Sequence, residues 1–296
     1  MNMSYLEDAF ITVLNMSITA SYVAIVVIFA RLLLKKAPKV FSYALWSIVL
    51  FRLVCPFSFS SGLSLLGLMQ SSQNGNFSTR YIEDNMELMP SLAVDTGMDN
   101  VNTAVKALLP VVASFDPMQI LITIGTLIWL TGAAVLLIYA LVSYLRLKRR
   151  ISMATLVSDN IYETDLIRSP FVCGFIRPKI YLPLNLTGSE REYILCHEKI
   201  HIKRRDYLIK LIAFLALVLH WFNPLMWLCF SLMTKDMEMS CDERVIKSLG
   251  MEGGAGYSMS LLALAMNRKM PSMSPLAFGE GNVKARVKNS LNYKMP

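Results

Sequence analysis

Charge is scarce in this chain. Of its 296 residues 17% are Asp, Glu, Lys or Arg, 54% are hydrophobic, and the mean hydropathy is +0.47, values that exclude an ordinary soluble composition. The five cysteines (Cys55, Cys173, Cys196, Cys229 and Cys241) are odd in number, form no C-x-x-C and lie in or beside apolar runs, which argues against a disulfide framework. No basic stretch with a small-residue cleavage site opens the chain, so its first apolar segment reads as a retained span and not a secretory leader. No nucleic-acid motif accompanies the net charge of +8; the basic excess reads as cytoplasmic membrane flanks, and no direct nucleic-acid partner is expected. Internal repeats and low-complexity tracts are absent too. Histidine is scarce as well, with three in the chain.

What is present is a sequence of long apolar runs closed by basic clusters. The run from about Phe10 to Leu34 contains Arg31 and ends at Lys35-Lys36-Ala37-Pro38-Lys39, a span stopping at a short basic turn. Phe41 to Phe57 returns across the membrane, short or with Arg52 snorkelling. Residues 58–116 are rich in Ser, Gly, Asn and Asp and carry an acidic excess, the composition of an extracellular loop. A third span covers residues 117–145 and terminates in Arg146, Lys148, Arg149 and Arg150. Positive clusters after the first and third spans place the N-terminus outside and everything from residue 146 onward in the cytoplasm. Within 146–296, the β-prone stretches 160–164 and Lys179–Pro183 read as a small sheet. The segment from Thr187 to Glu190 reads as a helix start, with Thr187 or Ser189 as N-cap and acidic residues in the first turn.

That helix carries His197-Glu198-Lys199-Ile200-His201. Histidines at i and i+4 share one helical face, so both imidazoles can bind one zinc ion while Glu198 reaches its water as general base. Two of only three histidines standing at ligand spacing favours metal binding over a solvated surface pair. A third ligand is needed. The extended metzincin pattern fails, because Arg204 and Tyr207 occupy the positions it reserves for Gly and His. Downstream, Glu238 and Asp242 again stand at i and i+4. Glu238 can complete a His, His, Glu site, while Asp242 accepts a hydrogen bond from the free N–H of a ligand imidazole. Asp236 and Glu243 read as solvated or salt-bridged. Arg204, Arg205 and Asp206 read as surface ion pairs or membrane-face charges. His220 reads as a hydrogen-bonded structural group, and Trp221 and Trp227 as interfacial anchors or core.

Between the two halves lies an apolar run, Leu208 to Met233, interrupted by Lys210, His220 and Asn223-Pro224. If it crossed the bilayer, Glu238 would stand a membrane thickness from His197. At ~1.5 Å per residue, about 17 residues up from His201 and about 14 down from Pro224 give arms of roughly 25 and 21 Å, and Asn-Pro supplies the break. The run therefore reads as a helical hairpin that dips into the membrane and returns Glu238 to the histidines. The strand Lys179–Leu182, as a sheet edge, could hold an extended substrate by β-augmentation.

Taken together, Phe171–Pro183, the His197–His201 motif, Arg205-Asp206, His220–Trp227 and Glu238–Val245 resemble the BlaR/MecR-type membrane metallopeptidases, β-lactam-sensing signal transducers of Gram-positive bacteria. The expected architecture is a mainly α membrane protein: three N-terminal transmembrane helices, then a cytoplasm-facing gluzincin-like zinc peptidase domain with a small β-sheet and a membrane-dipping hairpin. The resemblance implies zinc ligands His197, His201 and Glu238, catalytic Glu198, supporting Asp242, and cleavage of the protein itself or of a cytoplasmic transcriptional repressor. A homodimer is compatible with it. Full-length β-lactam sensors continue into a further span and an extracellular penicillin-binding domain. This sequence ends at Pro296 after a basic tail including Lys284, Arg286 and Lys288, and it shows no S-x-x-K site with sensor-domain context. The alternatives are a housekeeping membrane zinc protease of HtpX or CAAX-prenyl type, disfavoured by the Arg177–Pro183 segment, and a non-catalytic membrane receptor, disfavoured by the intact Glu198.

Overall fold

A computed structural model describes residues 3–55, 117–167, 169–184, 186, 188–266 and 283–293. The loop expected over 58–116 lies outside the described residues. The chain falls into two compact units, residues 57–125 and the remainder; of the first, residues 117–125 are described, as the opening of a helix.

The described residues are mainly helical. α1 (Met3–Leu33) runs through a 3-10 turn (Leu34–Lys36) into α2 (Lys39–Val54), and α3 spans Pro117–Ile151. Two stretches, Met3–Lys36 and Gln119–Ile151, are long and apolar enough to cross a membrane by length and composition. At 16 residues α2 falls short of the ~20 that a full span needs. The outward faces of α1 and α3 carry Tyr22, Val26, Phe29, Leu33, Val135, Ile138 and Leu141, all exposed. Bare apolar surface on this scale is unfavourable in water and favourable against lipid.

A four-stranded sheet follows, with order β1-β2-β4-β3: β1 Thr155–Ser158, β2 Ile161–Thr164, β3 Phe171–Cys173 and β4 Lys179–Pro183. β1 and β3 pair antiparallel with β2 and β4, while β2 and β4 run parallel. The strand expected at an edge, β4, is therefore central, because β3 covers its other side. That register buries Ile180 and Leu182 completely, and they pack with Ile161 and with Ile194 of the next helix. Gly174 turns β3 into β4 at φ 116°, where a Cβ would sit 2.6 Å from the Arg177 carbonyl oxygen, so only glycine fits.

Four helices complete the fold: α4 (Gly188–Arg204), α5 (Asp206–Leu219), α6 (Pro224–Met266, with a break at Gly250, φ 76°) and α7 (Val283–Asn292). α5 and α6 form a hairpin, so the apolar run does turn back. Asn223 makes the turn: its Oδ1 accepts the Leu225 N–H at 3.0 Å, and its Nδ2 donates to Ser17 Oγ and Ser21 Oγ of α1, both at 2.8 Å. His220 is fully buried with Nε2 3.3 Å from the Leu53 carbonyl oxygen at the end of α2, in line with a structural role. Trp221 Nε1 donates to the Trp129 carbonyl, which makes it a packing residue against α3. At the other end of the hairpin, Asp236 accepts two hydrogen bonds from Arg31 (2.6 and 2.8 Å) and one from Trp46 Nε1 (2.9 Å). Glu243 accepts the first N–H of α2, from Lys39, at 2.7 Å, supplying the cap that Pro38 cannot. Between these polar ties runs one apolar core of α1, α2, α5 and α6, built on Ala20, Ala24, Trp46, Phe214, Leu217, Met226 and Met233.

Candidate metal centre

The apolar face of α4 rests on the sheet through Ile194, which turns the next positions, His197 and Glu198, into the interior. His197 and His201, one turn apart, bring their Nε2 atoms to 3.0 Å. Each outer nitrogen is held. Arg205 adopts the left-handed conformation (φ 57°) and ends α4, so the chain bends there and sets Asp206 Oδ2 2.7 Å from His201 Nδ1. Asp206 is itself fixed by Arg204 Nε at 3.2 Å and by the Tyr43 hydroxyl at 3.1 Å. On the other imidazole, the Tyr257 hydroxyl stands 2.8 Å from His197 Nδ1 and donates to Asp242 Oδ1 at 2.5 Å. With its proton committed to Asp242, the Tyr257 oxygen is free to accept from Nδ1–H. Both rings have an acceptor at Nδ1–H and turn their Nε2 atoms toward each other, the arrangement in which imidazoles bind a metal once Nε2 is unprotonated.

The fold-back of α6 delivers the remaining donors. Glu238 Oε2 lies 3.5 Å from His197 Nε2 and 3.8 Å from His201 Nε2, separations that suit two ligands of one small ion with bonds of ~2.0–2.2 Å. The Cys241 sulfur and the two imidazole nitrogens lie within 4.8 Å of one another. This donor set, nitrogen, carboxylate and thiol, fits zinc. From α7, Arg286 enters the same space, donating to Asp242 at 2.7 and 2.9 Å and standing 3.3 Å from Glu238 Oε2.

These proximities set the protonation of the metal-free site. Burial pushes the His197 imidazole down, but Cys241 and Glu238 beside it reverse this and hold it up at about 10. Burial raises the Glu238 carboxyl, yet Arg286 and the two imidazoles keep it well below the carboxylate range. Burial likewise raises the Cys241 thiol, and the same imidazoles bring it below its ordinary value. The pocket is therefore prepared for a cation.

Of the residues singled out in the sequence, His197, His201, Glu238 and Asp242 converge here, and Glu198, next to His197 in the helix, is buried. Asp242 reaches His197 chiefly by way of Tyr257, its own Oδ1 lying 3.4 Å from Nδ1. Asp206, taken for a surface charge, is 2% exposed and holds His201; no local pattern marks it, because the reversal at Arg205 brings it inward. Arg286, taken for part of a basic tail, is buried in the site. Spacing does not mark it, because its burial depends on the docking of α7 against α6. Tyr257 and Cys241 carried no signal at all.

A helix bearing His-Glu-x-x-His, closed by a second helix bearing a carboxylate, is the framework of a metallopeptidase. The sequence profile of the BlaR1 peptidase M56 family matches residues 11–289, and the chain belongs to that family. It is 29% identical over 195 residues to the regulatory protein BlaR1 of Bacillus licheniformis, covering 56% of this chain and 32% of that protein. It is 24% identical over 308 aligned positions to the methicillin resistance mecR1 protein of Staphylococcus aureus strain Mu50, covering 93% of this chain and 50% of that protein. The mecR1 protein of Staphylococcus epidermidis matches to the same extent. The chain spans half or less of the length of these relatives.

Proposed function

We propose that this chain is a membrane-embedded zinc endopeptidase of signal transduction, cleaving itself or a cytoplasmic transcriptional repressor in response to an external signal. One observation carries the reading: two imidazole nitrogens 3.0 Å apart, each with its other nitrogen fixed, face a carboxylate on a separate helix, with Glu198 buried at the next position of the helix after His197. His197, His201 and Glu238 would hold the ion, which when bound would polarise a peptide carbonyl and acidify a water. Glu198 is the general base that would accept the attacking water's proton and return it to the leaving amine. Asp206 and the Tyr257–Asp242 pair keep the imidazoles in the ligating tautomer throughout. β3, an edge strand lying against α4, takes over the substrate-holding role first assigned to β4, pairing with an extended peptide.

The membrane part has three spans, with α2 as a short second one, and the α5–α6 hairpin dips between them. The exposed Ile212, Leu215, Leu219 and Leu228 of that hairpin support a lipid-facing surface.

Zinc binding and cleavage by the purified full chain in detergent test this reading. Glu198→Ala is expected to keep zinc and to lose cleavage of a candidate repressor or of the chain itself by at least ~10²-fold. Glu238→Ala is expected to weaken zinc at least ~10-fold, about 1.4 kcal/mol. Cleavage that survives Glu198→Ala sinks the catalytic assignment, and unchanged affinity in Glu238→Ala sinks the ligand assignment.

A further inference from the structure

We propose that Cys241 is a fourth metal donor, so that the site as folded is closed and the peptidase latent. The inference rests on the metal reading above and deepens it into regulation. Catalytic zinc sites keep one position for water, whereas four protein donors make a closed, structural one. Here a fourth donor stands ready: the Cys241 sulfur shares a 4.8 Å cluster with the His197 and His201 nitrogens and is completely buried. Its thiol makes a long contact to the His197 carbonyl, 3.6 Å, and the sulfur is within hydrogen-bonding reach of both imidazoles.

Helix geometry places it there. Glu238 and Cys241 stand three residues apart on α6 and share a face, so the face that presents the carboxylate presents the thiol as well. In the buried site Arg286 donates two hydrogen bonds to Asp242 and stands against Glu238, so among the described residues no cation other than the metal faces the sulfur directly; the Cys241 thiol proton would be released as the metal binds. A peptidase working from this arrangement must first move Cys241 off the ion. α6 and α7, packed together through Val245, Tyr257 and Val287, are the elements whose shift would do so.

Cobalt reports sulfur directly. The full chain in detergent, loaded with Co²⁺, is expected to show the near-ultraviolet thiolate-to-cobalt charge-transfer band, and Cys241→Ser to lose the band while still binding one equivalent. Should that variant fold poorly, X-ray absorption at the zinc edge of the wild type is expected to show one sulfur scatterer. Cobalt bound without the band, a band that persists in Cys241→Ser, or zinc bound with only nitrogen and oxygen neighbours overturns the proposal and leaves the peptidase reading standing. Failure to take up cobalt or zinc overturns both.

Discussion

At the scale of single residues, the groups behind the ligands decide how well the ligands work. Asp206 receives the Nδ1–H of His201 at 2.7 Å from a fully enclosed position, and removing such partners costs ~10–100-fold in metal affinity. Asp206→Asn is accordingly expected to weaken zinc by that factor in a competition titration, and Tyr257→Phe, which breaks the link from His197 to Asp242, to do likewise. An affinity within twofold of wild type in both would mean that the imidazoles are fixed by packing alone. Proton competition adds a pH dependence. His197 is raised from 6.5 to about 10 in the metal-free fold. The stability this proton contributes is complete below about 6.5 and lost as pH rises through about 10. Zinc must displace this proton and the one on His201, also raised well above its ordinary value, so its affinity moves oppositely, strengthening by up to tenfold per pH unit for each proton displaced between about pH 7 and 9. A flat profile of apparent Kd over that window would show that His197 is neutral before metal binds.

At the scale of elements, the hairpin is fastened at both ends. Asn223 caps α6 and donates two hydrogen bonds to α1; Asn223→Ala is expected to cost about 1–2 kcal/mol in denaturant titrations in detergent. Asp236→Ala leaves the Arg31 guanidinium unpaired beside Trp46 and is expected to cost about 3–5 kcal/mol. If the order of the two variants reverses, the turn and not the ion pair anchors the hairpin. These ties also mark the limit of what the sequence discloses. The Asn-Pro break, the matched arms, β2, β4 and the five site residues His197, Glu198, His201, Glu238 and Asp242 were legible, because periodicity, breakers and ligand spacing are local signals. β1 and β3 are too short for a period to register, and without them β4 looked like an edge. Asp206 and Arg286 depend on the reversal at Arg205 and on the docking of α7, events set by tertiary packing and invisible to spacing.

At the scale of the whole molecule, the polar ties give the depth of the site. Ser17 and Arg31 of α1 meet Asn223 and Asp236 of α6, separations of about 14 and about 13 residues, or roughly 20 Å on each helix. Lys39 and Leu53, about 14 residues apart on α2, meet Glu243 and His220, about 23 residues apart across the hairpin turn. α1 and the first part of α6 therefore run side by side over ~20 Å, less than a ~30 Å hydrocarbon core, and the metal donors lie toward Arg31, Lys35, Lys36 and Lys39, the basic end. Under the proposed topology the positive flanks face the cytoplasm, which would put the site on that side and the hairpin tip inside the bilayer. Reporter fusions test this without disturbing the fold. Alkaline phosphatase joined within residues 58–116 is expected to be active, and joined after Ser152 or after Asn292 to be inactive, with a cytoplasmic fluorescent reporter giving the converse. Phosphatase activity after Ser152 would invert the orientation and remove a cytoplasmic repressor from the list of substrates. Activity after Asn292 but not after Ser152 would mean that the chain crosses again between them, which the return of Glu238 to the histidines does not allow.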